Sequence, residues 1–93
     1  MTALLITVTL SIPWAHSLKQ KRMVVKSLTD KLKKSNLTVM ESGQLDEHQW
    51  AEISMALLAA HHGLADAIYE DTLAFIESEC EAEVVNVSTD WLL

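Results

Sequence analysis

Proline, glycine and cysteine are scarce in this chain, which has one, two and one of them among its 93 residues. The shortage of proline and glycine leaves few breaks and predicts mostly regular elements. The single cysteine excludes an internal disulfide and a cysteine-based zinc site. No apolar run approaches the ~18 residues of a membrane helix. Threonines interrupt the apolar N-terminus, which also lacks the basic segment of a signal peptide. We therefore expect a soluble, cytoplasmic protein with no membrane association.

The residue types that commonly act in catalysis or bind metals are present, but their spacing does not match a known catalytic or metal-binding motif. The four histidines, His16, His48, His61 and His62, do not share metal-ligand spacing on one element. No glycine-rich phosphate loop is present. Cys80 lies among glutamates, which disfavour a thiolate, so we interpret it as a structural thiol. The sequence thus predicts no catalytic residue, no metal and no cofactor, and hence a protein that is not an enzyme.

Positive charge is confined to one short segment. Residues 1–34 carry all seven basic groups and one acid, Asp30, for a balance of +6, whereas residues 35–93 carry twelve acids and no basic group. The overall charge of −6 therefore hides a concentrated positive surface. Such asymmetry indicates the kind of partner rather than the fold. The basic residues are Lys19, Lys21, Arg22, Lys26, Lys31, Lys33 and Lys34.

Size and hydropathy patterning predict one domain, covering residues 1–93. A chain of this length buries roughly 60–70% of its unfolded surface, which permits one modest core. The apolar fraction of 49% suits a globular fold and is too high for disorder. Alternating residues predict a first strand that Pro13 ends, and Ser17 is a good N-cap for the helix that follows. The predicted elements are a strand over 4–12, a helix from Leu18 to about Lys34 that Ser35-Asn36 closes, a strand over 37–40, a loop over 41–48, a helix over 64–79 and a strand over 83–91.

Residues 50–60 have an ambiguous pattern. Their alanine, leucine, methionine and glutamate favour a helix by propensity. Yet Ala51, Ile53 and Met55 alternate with more polar neighbours, as in a strand. A strand would give the order β-α-β-β-α-β, in which two right-handed crossovers form a four-stranded antiparallel sheet with both helices on one face. A helix would leave three helices and three strands without an obvious packing. Composition alone slightly favours the helix.

One segment resembles a known family. His16-Ser17-Leu18-Lys19-Gln20-Lys21-Arg22, followed by Val24-Val25-Lys26-Ser27-Leu28, is similar to the signature of the YlxP-like proteins, small bacterial proteins that form a domain of unknown function. The rest of the chain is similar in outline, with Ala51-Glu52-Ile53 in an alanine-rich third strand. The chain departs from the family before Ala51, where His48 and Trp50 stand in place of a tryptophan and an arginine.

The resemblance has consequences for fold and function. The family's fold is ferredoxin-like, which implies an α+β, β-α-β-β-α-β domain and so a strand at residues 50–60. Some members are encoded beside translation and ribosome-maturation factors, which implies a connection with RNA or the ribosome. The family supplies no biochemical activity.

The first helix is the candidate site. On a helical wheel Lys19, Arg22, Lys26 and Lys33 fall within about 60° of one another, opposite the apolar stripe. Lys21 falls on the core-facing side, so it must extend to solvent or find a carboxylate. The exposed cations, from Lys19 to Lys33, span about 21 Å at ~1.5 Å per residue, which is long enough for several phosphates.

The start of this helix breaks an electrostatic rule. Lys19, Lys21 and Arg22 crowd an end where the helix dipole disfavours cations by roughly 0.3–1 kcal/mol each. With the Ser17 hydroxyl they form a natural receptor for a phosphate or a carboxylate. An equally weighted alternative pairs Lys21 and Arg22 with acids of the chain itself and leaves the other cations as a solvated face. The acids considered for that pairing are Glu41, Glu52 and Asp90.

The sheet face without helices predicts an interface between copies. It would show small, mixed side chains and no aromatic residue in the middle of the first or third strand, which suits sheet-to-sheet dimerisation better than the stacking of bases. We therefore expect a homodimer through this face. Its residues would be Leu5, Thr7, Thr9, Ser54, Ala56, Leu58, Asn86 and Ser88.

The resulting functional hypothesis is a non-enzymatic accessory protein that contacts RNA or the ribosome through its first helix. Ser17, Lys19, Lys21 and Arg22 would hold a phosphate at the helix start, and Lys26 and Lys33 would extend the track. Two alternatives remain open at this point. One is a dimeric module that binds a single small anion, a phosphate or carboxylate ligand, and the other is a protein–protein adaptor.

Overall fold

A computed structural model describes residues 1–35, 37–79 and 81–93. The roles predicted for Asn36 at the helix end and for the Cys80 thiol lie outside these residues. The elements follow the order β-α-β-β-α-β and form one four-stranded antiparallel sheet in the order β2-β3-β1-β4. They are β1 (Thr2–Ser11), α1 (Leu18–Lys33), β2 (Thr38–Gly43), β3 (Trp50–Ala59), α2 (His62–Glu79) and β4 (Glu83–Trp91).

Strand β1 organises the core because it pairs with strands on both sides. Its even-numbered residues, from Leu4 to Leu10, are buried, whereas the odd-numbered ones are only half-buried. The buried side packs against Val25, Leu28 and Leu32 of α1 and Ile76 of α2 in a single cluster. Both helices therefore cover the same face of the sheet, as predicted.

The segment with the ambiguous pattern is a strand. Residues Trp50–Ala59 form β3, which pairs with β1 from Thr2 opposite Ala59 to Ser11 opposite Trp50. The other edge of β3 pairs with β2. Alanine and leucine are good helix formers, but the two hydrogen-bonded neighbours and the burial of alternate residues outweigh this modest preference.

Strand β2 is longer than the sequence predicts. Residues 41–43, predicted to begin a loop, continue the strand, with Glu41 opposite Ile53 and Gly43 opposite Glu52. The register shifts between Glu41 and Gly43, which leaves one extra residue in β2. The apolar pattern ends at Met40, so only the pairing with β3 identifies the last three residues as strand.

Helix α2 also starts earlier than predicted, at His62 instead of residue 64. The backbone N–H of Leu64 donates to Nδ1 of His61 at 3.1 Å, so a histidine caps this helix. The His62 ring stacks on the Trp91 ring at the end of β4, with a centroid distance of 4.3 Å. No helix in the described ranges is long and apolar enough to cross a membrane.

Candidate functional site

The start of α1 is closed by a capping motif. The Ser17 hydroxyl oxygen accepts a hydrogen bond from the Gln20 backbone N–H at 3.2 Å. The Gln20 side-chain oxygen in turn accepts from the His16 backbone N–H. The arrangement resembles a capping box, in which a serine and a glutamine three residues later satisfy otherwise free amides. The Ser17 hydroxyl oxygen is therefore already engaged within the chain, although Ser17 is exposed.

Lys21 is part of the core. Its side chain is only 1% exposed, and Nζ lies 2.9 Å from Oε2 of Glu41 on β2. Nζ also donates to the Gln44 carbonyl, and Gln44 has the left-handed backbone conformation (φ 59°) that non-glycine residues rarely adopt. Within the described ranges Glu41 Oε2 accepts no hydrogen bond of regular geometry. The Lys21–Glu41 contact is therefore an electrostatic attraction between opposite charges and not a well-aligned hydrogen bond. Lys21 thus joins α1 to β2 and is not available to a ligand in solvent.

Four other cations form an exposed line along α1, which we name the basic ridge: Lys19, Arg22, Lys26 and Lys33. All four are exposed, as the helical wheel predicts. In the described part of the chain Lys19, Arg22 and Lys33 have no carboxylate within 4.0 Å. Within the described residues the ridge therefore has three cations without a salt bridge, although the charge of Lys33 also acts on Asp30.

Lys26 has a partner on the same helix. Its Nζ lies 2.8 Å from Oδ2 of Asp30, four residues along. The hydrogen bond and charge of Lys26 lower the pKa of the Asp30 carboxyl, and those of Asp30 raise the pKa of Lys26. Both side chains are exposed, so water screens the pair and a stronger anion can compete for Lys26.

A groove runs between α1 and strand β2, at the edge of the sheet. Arg22, Lys26 and Lys33 line its helix side, and Met40 and Glu41 line its strand side. Its volume is about 510 Å³. Three of the four ridge cations therefore border a shallow depression, which Asp30 and Glu41 also line. We name this feature the β2 groove.

A second groove lies on the other flank of α1 and was missed by sequence reasoning. It has a volume of about 470 Å³ and apolar walls formed by Trp14, Met23, Val24 and Leu28. Trp14 comes from the turn after β1, which the fully buried Ala15 anchors. The sequence offers only a tryptophan directly after Pro13 and a methionine on the first helix, and only the fold brings the turn against the helix. We name it the Trp14 groove.

The helix-free face of the sheet carries the residues predicted for it. Thr7 lies opposite Ser54 on one side and Ser88 on the other, and Leu5 lies opposite Ala56. Hydroxyls form a chain across three strands: Thr7 and Ser54 share a hydrogen bond of 3.3 Å, and Ser54 donates to Ser42 at 2.7 Å. Ser42 then donates to Glu52 at 3.0 Å. We name this surface the open face.

The remaining groups to place are the candidate metal ligands and the basic residues Lys31 and Lys34. Within the described ranges no group of three or more histidine, cysteine, aspartate or glutamate side chains could hold a metal ion. Lys31 lies 3.8 Å from Glu79 of α2, a loose and largely exposed pair. Lys34 caps the end of α1 through its backbone N–H, which donates toward the Leu32 and Lys31 carbonyls.

Solved structures confirm the fold. A de novo designed protein with a ferredoxin fold, solved by solution NMR, matches with a TM-score of 0.60 at 16% identity, over 100% of this chain and 87% of the other. A crystal structure named as a putative PII-like signaling protein from Thermus thermophilus matches with a TM-score of 0.52 at 14% identity, over 100% of this chain and 90% of the other. At such identities the likeness shows a ferredoxin-like architecture and nothing about function.

The family is established by the sequence itself. A family profile described as "Protein of unknown function (DUF503)" matches residues 4–89. The chain belongs to this family, which confirms the predicted membership of a domain of unknown function. The comparison with curated proteins gave no match.

Proposed function

We propose that this protein is a non-enzymatic accessory protein of the cytoplasm that binds RNA or a ribonucleoprotein through the basic ridge of α1. The observation that carries the proposal is the exposed line of Lys19, Arg22, Lys26 and Lys33, of which three have no carboxylate partner in the described ranges. Unpaired cations on one helix face attract an anion, and their spread over about 21 Å suits a chain of phosphates better than a single one.

The acidic remainder of the chain supports an oriented, weak interaction. Twelve acids and no basic group follow Lys34, so a polyanion is repelled from most of the surface and attracted to one side. Four phosphate contacts on single-stranded RNA correspond to a slope of about −2.8 in a plot of log K against log salt concentration. Binding should therefore be measurable near ~50 mM salt and weaken steeply above it.

The test replaces Lys19, Arg22, Lys26 and Lys33 together with glutamine. Glutamine has nearly the same helix propensity as lysine and arginine, so the fold should be retained. Retention of RNA should be lost, because four cations are removed while the acids remain. The measurement is fluorescence anisotropy with labelled RNA at several salt concentrations, with the midpoint of thermal unfolding as the check on folding.

A matched pair of single variants provides the control. Lys33→Gln and Lys34→Gln remove the same charge one residue apart, but Lys33 lines the β2 groove and Lys34 does not. Lys33→Gln should reduce affinity and make the salt slope shallower by about 0.7, whereas Lys34→Gln should do little. Unchanged binding in the fourfold variant, or no binding by the wild type at ~50 mM salt, would reject the proposal.

The alternative of a single small-anion site has less support. Its predicted residues do not converge, because the Ser17 oxygen accepts from a backbone amide and Lys21 is buried against Glu41. Only Lys19 and Arg22 remain at the helix start, and neither the β2 groove nor the Trp14 groove includes both of them. A phosphate compound that raises the unfolding midpoint by several degrees would favour this alternative, since ligand binding stabilises the folded state.

We also propose that two copies pair through the open face. The four strands have 10, 6, 10 and 9 residues. At ~3.3 Å per residue and a spacing of ~4.8 Å they give roughly 550 Å² per copy, or about 1,100 Å² in total, close to the lower limit of biological interfaces. The residues Leu5, Thr7, Ser54 and Ala56 at the centre of the face are uncharged, and the hydroxyls on β1 and β3 already have partners. Two carboxylates border this centre, Asp90 opposite Leu5 and Glu52 opposite Thr9. The basic ridge lies on the opposite side of the molecule, so pairing leaves it accessible.

The Ala56→Arg variant is expected to convert a dimer into a monomer. Ala56 is half-buried in the middle of the open face, opposite Leu5 and Thr38, so an arginine there places a charge at the centre of the interface. Light scattering after gel filtration measures the mass. Ala74→Arg on an exposed position of α2 is the matched control and should leave the dimer intact. A wild type that is monomeric at all concentrations contradicts the prediction.

A further inference from the structure

We propose that the Trp14 groove receives an unpaired base of single-stranded RNA whose phosphates lie on the basic ridge. This inference rests on the proposed function and specifies the class of RNA that is bound, which is RNA with unstacked bases and not duplex RNA. The observation that carries it is a tryptophan-lined groove on one flank of α1 that includes Met23, a helical neighbour of the ridge residues Lys19 and Lys26. Proteins that bind single strands combine these two features, a positive track for the backbone and aromatic side chains on which bases stack.

The groove has the dimensions and chemistry for a base. Its volume of about 470 Å³ lies within the range of small-ligand sites. Trp14 is 41% exposed, so part of its ring is available for stacking, and Met23 is 66% exposed at the same groove. An exposed indole of this kind is amphipathic and presents a flat face at little cost in side-chain entropy.

Of the helix residues that line the groove, Met23 lies nearest to the basic ridge. Met23 follows Lys19 by four residues and precedes Lys26 by three, and side chains at these spacings are neighbours on a helix, with Cβ atoms about 5–6 Å apart. A nucleotide whose phosphate contacts Lys19 or Lys26 therefore has its base within reach of the groove. In a duplex the bases are paired and stacked inside, so only a single strand or a loop can use both features.

Charge distinguishes the two surfaces. The Trp14 groove includes the carboxylates of Glu79 and Glu81, which repel a phosphate but accept hydrogen bonds from the N–H groups of a base. Gln20, Ser27 and Lys31 add donors to the same groove. Since base edges carry both donors and acceptors, a rim of mixed polarity suits them. The electrostatics therefore favour an orientation in which the RNA backbone lies on the basic ridge and the base lies in the Trp14 groove.

The experiment uses Trp14 as its own reporter. The chain has three tryptophans, so Trp50→Phe together with Trp91→Phe leaves Trp14 alone, and phenylalanine preserves an aromatic ring against His62. This protein is titrated with a single-stranded oligoadenylate and with an A·U duplex of the same length. We expect quenching of Trp14 fluorescence by the single strand and little change with the duplex.

Substitution of Trp14 in the otherwise native chain measures the contribution of stacking. Trp14→Leu should weaken binding of the oligoadenylate by about 5- to 100-fold, the equivalent of one stacked base, and leave duplex binding within about twofold. Trp14→Phe keeps a stacking face and should retain most of the affinity, which also shows that the turn tolerates substitution. Circular dichroism verifies that each variant is folded.

The outcomes separate this inference from the proposed function. If the fourfold ridge variant loses RNA but Trp14→Leu binds the oligoadenylate as the wild type does, without quenching in the reporter protein, the groove inference is overturned and the ridge remains. If the wild type binds neither the oligoadenylate nor the A·U duplex at ~50 mM salt, the proposed function itself is rejected. Equal quenching by duplex and single strand would also overturn the inference, because a paired base cannot enter the groove.

Discussion

Replacing Lys21 with methionine is expected to lower the free energy of unfolding by about 3 kcal/mol. Breaking a buried ion pair by removal of one partner costs roughly 3–5 kcal/mol, because the other charge remains without compensation. The lower value applies since the Glu41 side chain is 22% exposed and keeps some contact with water. The Gln44 carbonyl also loses its partner in a turn with a left-handed backbone. The midpoint of thermal unfolding, measured at fixed protein concentration, should fall by roughly 12–24 °C.

Two comparisons make this expectation specific. Lys19→Met removes the same charge from an exposed position and should change stability by less than about 0.5 kcal/mol. The double variant Lys21→Met with Glu41→Leu removes both charges and should regain much of the loss, because no buried charge is left alone. A loss below about 1 kcal/mol in the single variant would mean that Lys21 is solvated in solution. RNA affinity of folded Lys21→Met should stay within about twofold, since Lys21 is not accessible.

The second large effect concerns strand β3. Ile53→Ala should lower the free energy of unfolding by about 3 kcal/mol, within the roughly 2–5 kcal/mol that such truncations cost in a core. Ile53 is 1% exposed and lies between Val8 of β1 and Glu41 of β2 in the sheet register. Ile53 belongs to the buried core cluster, so the cavity would be surrounded by packed side chains. Chemical denaturation with urea gives the free energy and also the slope that reports on the surface exposed.

The neighbouring residue provides the control for this prediction. Ser54 points to the open face, where its hydroxyl contacts Thr7 and Ser42. Ser54→Ala should cost at most about 1 kcal/mol, the usual worth of an exposed hydrogen bond. The effects should differ because successive side chains of β3 point to opposite faces of the sheet. Similar losses at Ile53 and Ser54 would contradict the two-sided environment that the structure assigns to β3.

Several elements of the fold could be predicted because their signals are local. The strand at residues 83–91 and the helix that starts at Leu18 match the structure at those boundaries, since alternation, the Ser17 cap and a clear apolar stripe mark them. Residues 50–59 carried two conflicting local signals, and the resemblance to a family was needed to favour the strand. Residues 41–43 carried no apolar pattern, so their pairing with β3 could not be foreseen.

The candidate site was predictable in part for the same reason. The helical wheel follows from the sequence alone, so the exposure of Lys19, Arg22, Lys26 and Lys33 was correctly foreseen. Lys21 was placed on the core side, but its partner could be named only as one of three acids. The Trp14 groove was missed, because its walls come from a turn and a helix whose contact depends on packing.

By itself, the sequence determined the charge segregation, the amphipathic first helix and the alternation of the strands, all of which depend on residues near one another in the chain. Only the tertiary structure decided that residues 41–43 extend β2, that Lys21 pairs with Glu41, and that a groove lies on each flank of α1. The physical reason is that hydrogen bonding between strands, burial of a charge and concave surfaces all require groups distant in sequence, and local preferences of about 1 kcal/mol or less per residue yield to them.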